Sequence, residues 1–258
     1  METKKYNLYR DAILSQYPKA TDVRTPDVCG SQDNVLFAKT PVGERVFKFS
    51  TEDMVKKNAR VSYVYSVRGI PTPKITPREY KNLHFEDYAK IDGTTLHGAI
   101  QMGMDEEQVK AVYRSVLKEF VKMERIWPQI LGGEPLNYGH NVAGRYFETK
   151  YNMLVGQLVR TFMYLIDNSN EYGLFHFDLS PKNIIVSDDG SFKSMIDLES
   201  AAICSKSIAF AMLAARYQQL GFDIKDLFKH YNILTDAHLD YGKIVRLANF
   251  RRMVNKIR

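Results

Sequence analysis

The chain has 258 residues, 45% hydrophobic and 26% charged, which excludes disordered, collagen-like and fibrous classes. Its two cysteines, Cys29 and Cys204, exclude a disulfide scaffold, lack metal-ligand spacing and point to a reducing compartment. The net charge of +6 sits entirely after residue 203. There Lys206, Arg216, Lys225, Lys229, Lys243, Arg246, Arg251, Arg252, Lys256 and Arg258 face only Asp223, Asp226, Asp236 and Asp240. The polar start, Met1 to Tyr6, is followed by no apolar leader, so no signal peptide is expected. The longest apolar stretch, near Ile208–Ala215, is far short of a membrane span. A cytoplasmic location is the expectation.

In chain order, residues 23–50 read as strands: Val35-Leu36-Phe37-Ala38 and Arg45-Val46-Phe47-Lys48-Phe49 flank the turn chemistry of Pro41-Val42-Gly43. Residues 52–67 read as a helix ending before Gly69, and Ile70-Pro71-Thr72-Pro73 forces an extended segment. A further strand is expected near 83–91, stopping at Asp92-Gly93. Beyond it the pattern turns helical. Asp105 with Gln108 resembles a capping box, and Val109, Val112, Tyr113, Val116, Phe120 and Met123 recur at helical spacing until Pro128. A second helical stretch covers 148–168. Short strands follow at Ile184-Ile185-Val186 and Ser194-Met195-Ile196, then helices near 205–220, 223–232 and 236–256. This order predicts an α+β fold with an N-terminal domain, residues 1–92, and a mainly helical domain, residues 93–258.

The most informative stretch runs from His176 to Val186. His176, Asp178 and Asn183 have the spacing H-x-D-x-x-x-x-N, followed by Ile184-Ile185-Val186, a turn at Asp188-Asp189-Gly190, and Asp197 within Ile196-Asp197-Leu198-Glu199. Phosphoryl transfer needs such a set: one carboxylate facing the acceptor hydroxyl, and an Asn with a second carboxylate holding Mg²⁺ on the nucleotide phosphates. The alternative is a surface loop with an Asp cap. Upstream, Cys29 to Asn34 forms a turn whose backbone N–H groups either cradle phosphates or close an ordinary hairpin. Lys48, between apolar neighbours, either extends to solvent or reaches into a cleft for the α/β-phosphates.

These parts, in this order, resemble the protein-kinase-like fold and more closely the aminoglycoside phosphotransferase and choline kinase superfamily. The resemblance runs from about Asp27 to Ala215. It rests on Gly30-Ser31 with Asn34, Lys48, Gly69-Ile70-Pro71-Thr72-Pro73, Ile91-Asp92-Gly93-Thr94-Thr95-Leu96, the His176–Asn183 loop and Ile196-Asp197-Leu198-Glu199. It implies a small antiparallel-sheet lobe with one main helix, then a helical lobe. It also implies ATP bound through Gly30, Ser31 and Lys48, with adenine on the hinge backbone of Ala89 and Ile91. Asp178 becomes the catalytic base, Asn183 and Asp197 the Mg²⁺ ligands, and His176 a residue that orients the loop. Two positions depart from the pattern. Phe177 stands where many members have Gly, and Asn58 stands where the helix Glu that pairs with the lysine is expected, leaving Asn58 or Glu52 as the candidates.

The resemblance implies a small-molecule hydroxyl acceptor, shaped by the region after Asp197. That region is basic, which either is a solvated surface or attracts an anionic acceptor, and it disfavours a polycation. No RNA-binding motif is present. Asp178-Leu179-Ser180 with Asn183 also resembles the Rio protein kinases, and Asn58 leaves a nucleotide-binding pseudokinase open as a third reading.

Overall fold

The computed structural model describes residues 3–26, 34–126, 172–235 and 239–256, together with the isolated helical positions 153, 157 and 161. Gly30, Ser31 and most of the helical stretch expected at 148–168 lie outside the described residues. Contacts divide the chain into two units, Met1–Asp92 and Gly93–Arg258.

The first unit starts with α1 (Thr3–Gln16) and continues through β1 (Thr21–Arg24), β2 (Val35–Thr40), β3 (Gly43–Ser50), α2 (Glu52–Val67), β4 (Thr76–Tyr80) and β5 (Leu83–Ala89). The strands form one antiparallel sheet in the order β1-β2-β3-β5-β4. Alternation along β3 and β5 sends Phe47, Phe49 and Phe85 to one face, against Tyr9, Ala12 and Ile13 of α1. The Tyr9 ring stacks on Phe49. Helix α1 escapes sequence reading because it buries only Tyr9, Ala12 and Ile13, while Leu8 is exposed, so its apolar residues mark no clear face. Strand β4 does so because it carries Pro77 and lies at the sheet edge.

Helix α2 spans the expected residues. Thr51 Oγ1 caps its start by accepting from Met54 N. At its end Gly69, at φ 63°, takes the left-handed conformation; Gly69 N–H donates to Ser66 O and Ile70 N–H to Tyr65 O. This closure is a Schellman motif, with Ile70 buried beside it. Ser62 then receives Ile75 N–H and donates to Pro73 O, tying the Pro-rich segment back to the helix.

The second unit contains β6 (Thr94–Thr95), α3 (Leu96–Gln101), α4 (Glu106–Glu124), β7 (Tyr172–His176), β8 (Ile184–Val186), β9 (Phe192–Met195), β10 (Ala201–Ser205), α5 (Lys206–Gln219), α6 (Ile224–Leu234) and α7 (Tyr241–Lys256). The Asp105–Gln108 capping box forms in both directions, and all six apolar positions of the helical pattern in α4 are buried. The expectation of two short strands here is corrected to five among the described residues, in a three-stranded sheet β6-β8-β9 and a pair β7-β10. The missed β10 is Ala-Ala-Ile-Cys-Ser, buried at every position. Burial on both faces removes the alternation that marks a strand.

Candidate active site

Strand β7 ends at His176, and the chain then turns through Asp178 into a single 3₁₀ turn, Pro181–Asn183, before β8. Pro181 at the first position of that turn needs no amide hydrogen, and Asn183 N–H donates to Ser180 O. His176 is 3% exposed. Burial pushes its pKa below the usual imidazole value, so the ring is neutral. Nδ1 receives the Asp178 N–H at 3.4 Å, and Nε2 lies 2.7 Å from Ile196 O. A carbonyl only accepts, so Nε2 carries the proton. One ring therefore ties the turn at Asp178 to the residue before Asp197.

Asn183 is buried and its Nδ2 donates to Asp178 O at 3.0 Å and to Asp178 Oδ2 at 3.3 Å. The amide nitrogen is thereby committed to Asp178, and Oδ1 is the amide atom able to ligate a cation. Antiparallel pairing of Ile184 with Met195 and the bond from Ile196 N–H to Asn183 O bring the end of the β8–β9 hairpin beside Asn183. Asp197 follows immediately, at φ 64°, ψ 71°. A non-glycine residue in that conformation is strained by on the order of 1 kcal/mol or more.

The other Asp178 oxygen, Oδ1, accepts from Arg216 of α5 at 2.7 Å. A second guanidinium nitrogen of Arg216 holds Gln219 Oε1 at 3.1 Å, and Nε is buried without a hydrogen-bond partner. Arg216 escaped sequence reading. It was one of ten basic residues in the C-terminal stretch, and its contact spans 38 residues.

In the first unit, Lys48 of β3 is 8% exposed, so the solvent-reaching alternative is excluded. Its direct register partner is Glu86 of β5, also buried, and Glu86 Oε1 accepts from Asn58 Nδ2 at 2.6 Å. Glu52 instead pairs with Lys56, one turn along α2. Ala89 closes β5 and is exposed, with Ile91 two residues on, half-buried. Lys90 N–H donates to Glu44 O. By antiparallel alternation the N–H and C=O of Ala89 then point away from β3, and β4 pairs no further along than Asp87. On the opposite sheet face Asp87 is fully buried and accepts from Arg45, Arg78 and the Tyr17 hydroxyl. Burial, and then Asp87 itself, raise the Tyr17 pKa.

The structure thus gathers His176, Asp178 and Asn183, with Asp197 one residue beyond, and separately gathers Lys48, Glu86 and Asn58. Among the described residues no cluster of three or more His, Cys, Asp or Glu side chains forms a self-sufficient metal site. No helix among them is long and apolar enough to cross a membrane.

No family model matches the sequence, and no curated protein does. Solved structures do match. An aminoglycoside phosphotransferase from Streptomyces rimosus superposes with a TM-score of 0.68 at 12% identity, covering 96% of this chain and 98% of that one. Another aminoglycoside phosphotransferase, with GDP and kanamycin bound, gives a TM-score of 0.66 at 15% identity over 96% and 89% of the two chains. Choline kinase from Streptococcus pneumoniae gives 0.61 at 14% identity over 98% and 88%. The chain shares the kinase-like fold of these solved phosphotransferase and choline kinase structures.

Proposed function

We propose that the chain is a nucleotide- and Mg²⁺-dependent phosphotransferase that moves the γ-phosphate of ATP to a hydroxyl of a small molecule. The observation that carries this reading is the Asp178–Asn183 contact at the mouth of the β8–β9 hairpin that delivers Asp197. Asp178 is the base. It takes the proton of the acceptor hydroxyl as that oxygen attacks the γ-phosphorus, and the bond from phosphorus to the bridging oxygen breaks to release the nucleoside diphosphate. Asn183 and Asp197 hold Mg²⁺. One amide oxygen and one carboxylate suit a cation that keeps waters and takes its remaining ligands from phosphate. The ion supplies charge neutralisation on the phosphate oxygens.

Residues 1–92 form the nucleotide domain: Gly30, Ser31 and Lys48 bind phosphates and the backbone of Ala89 and Ile91 binds the base. Residues 93–258 carry the catalytic loop and the acceptor region. ATP and GTP both belong in the test, since solved neighbours hold ADP or GDP. Arg216 places a cation beside the base. Together with the basic C-terminal stretch, it favours an acceptor carrying a phosphate or carboxylate over a polycation. A cytoplasmic location fits this chemistry.

The test is nucleotide consumption against a panel of hydroxylated acceptors, anionic and cationic, with Asp178→Ala as control. Asp178→Ala abolishes transfer and leaves nucleotide affinity within a few-fold. Wild-type turnover in that variant would refute the base assignment. Labelling of protein rather than metabolite would favour a protein kinase.

A further inference from the structure

The kinase-like resemblance calls for a carboxylate on α2 to pair with Lys48, and Asn58 occupies that place. The sheet supplies another. Lys48 and Glu86 are direct cross-strand partners, so their side chains leave the same face with Cβ atoms about 5 Å apart. That face is the one α2 covers, because Asn58 reaches Glu86 from it at 2.6 Å. Lys48, Glu86 and Asn58 are 8%, 3% and 0% exposed. A lysine and a glutamate buried side by side are each costly unless they neutralise one another. A carboxylate only accepts, so the Asn58 amide must point Nδ2 at it, and this leaves Asn58 Oδ1 buried with no donor. The cluster therefore has acceptor capacity for an ammonium on both groups.

We propose that Glu86 is the counter-ion that positions Lys48, clamped by Asn58. The carboxylate has moved from helix to strand, and the helix residue has become its hydrogen-bond donor. Glu86 is a positioning residue: it does not touch the nucleotide but holds the lysine that does. The role of Lys48 toward phosphate rests on the proposed function; the ion pair does not.

The test is a double-mutant cycle on the full chain without nucleotide, using Lys48→Met, Glu86→Gln and both, followed by urea unfolding. Gln keeps the acceptor for Asn58 and removes only the charge. The double variant is expected to be less destabilised than the two singles sum to, by about fivefold or more in the unfolding equilibrium constant; a smaller coupling overturns the pair. If Glu86→Gln alone does not fold, the double variant decides. Recovery of a cooperative transition on adding Lys48→Met supports the pair, and a double variant as unfolded as the single overturns it. A nucleotide arm tests positioning. Glu86→Gln weakens Mg-ATP and Mg-GTP affinity about tenfold and Glu86→Asp restores part of it, while unchanged affinity overturns the positioning role. A wild-type chain that binds neither nucleotide refutes the phosphotransferase reading and leaves the cycle to decide the pair.

Discussion

His176 holds two backbone segments with one neutral ring, and its chemistry makes that hold sensitive to acid. Its folded pKa lies below the unfolded value of about 6.5. In the unfolded chain the imidazole protonates first as pH falls, so this contribution to stability is full above about 6.5 and is lost as pH drops toward the folded pKa. The melting temperature of the wild type is expected to fall more steeply between pH 7 and pH 5 than that of His176→Gln, in which an amide N–H replaces the donor to Ile196 O. Parallel curves would remove His176 from the account. Arg216 is the second residue to probe. Arg216→Ala frees Asp178 Oδ1 and is expected to raise KM for an anionic acceptor at least about tenfold with little change in KM for the nucleotide. At this scale the spacing in the sequence made the proximity of Asp178 and Asn183, and the hairpin leading to Asp197, legible, because they lie on one local loop and hairpin. The contacts of Arg216 with Asp178 and of Glu86 with Asn58 were not legible, because each is fixed only when distant segments meet. Two adjacent acids inside β5, Glu86 and Asp87, were the available hint: buried acids imply buried partners.

The hairpin and the two helix caps show how far local rules carry. The Schellman end of α2 and the capping box of α4 follow from Gly69 and from Asp105 with Gln108, residues adjacent in sequence to the groups they satisfy. The elements that were missed, α1, β4, β6, β7 and β10, owe their existence to what they pack against. Gly93 shows the same dependence at one position. It sits at φ 123°, and a Cβ there would come within 2.2 Å of Val186 O, next to the Thr94–Val186 pairing that joins β6 to β8. Gly93→Ala is expected to cost more than about 2 kcal/mol in urea unfolding, through backbone strain and the displaced strand. A loss below that would mean the β6–β8 contact yields without penalty.

At the scale of the whole molecule, nucleotide binding should be visible without any knowledge of the acceptor. A ligand that binds only the folded state stabilises it by mass action, about 2.7 kcal/mol at a hundredfold excess over Kd. Mg-ATP or Mg-GTP should therefore raise the melting temperature by several degrees, and chelation of Mg²⁺ should reverse most of the gain. No shift with either nucleotide would count against the phosphotransferase reading. The charge distribution also reads differently with the structure in hand. One of the ten cations counted at the C-terminal end, Arg216, bonds the candidate base, so the excess there is not all solvated surface.

The placement of α1 has a practical consequence for anyone producing fragments of this protein. Tyr9, Ala12 and Ile13 cover the Phe47, Phe49 and Phe85 face, and Tyr17 completes the ring of donors around the buried Asp87. A fragment beginning at residue 18 would keep every catalytic candidate. It would also lay bare an aromatic sheet face and leave a buried carboxylate short of one donor, and such a fragment should partition into the insoluble fraction on expression.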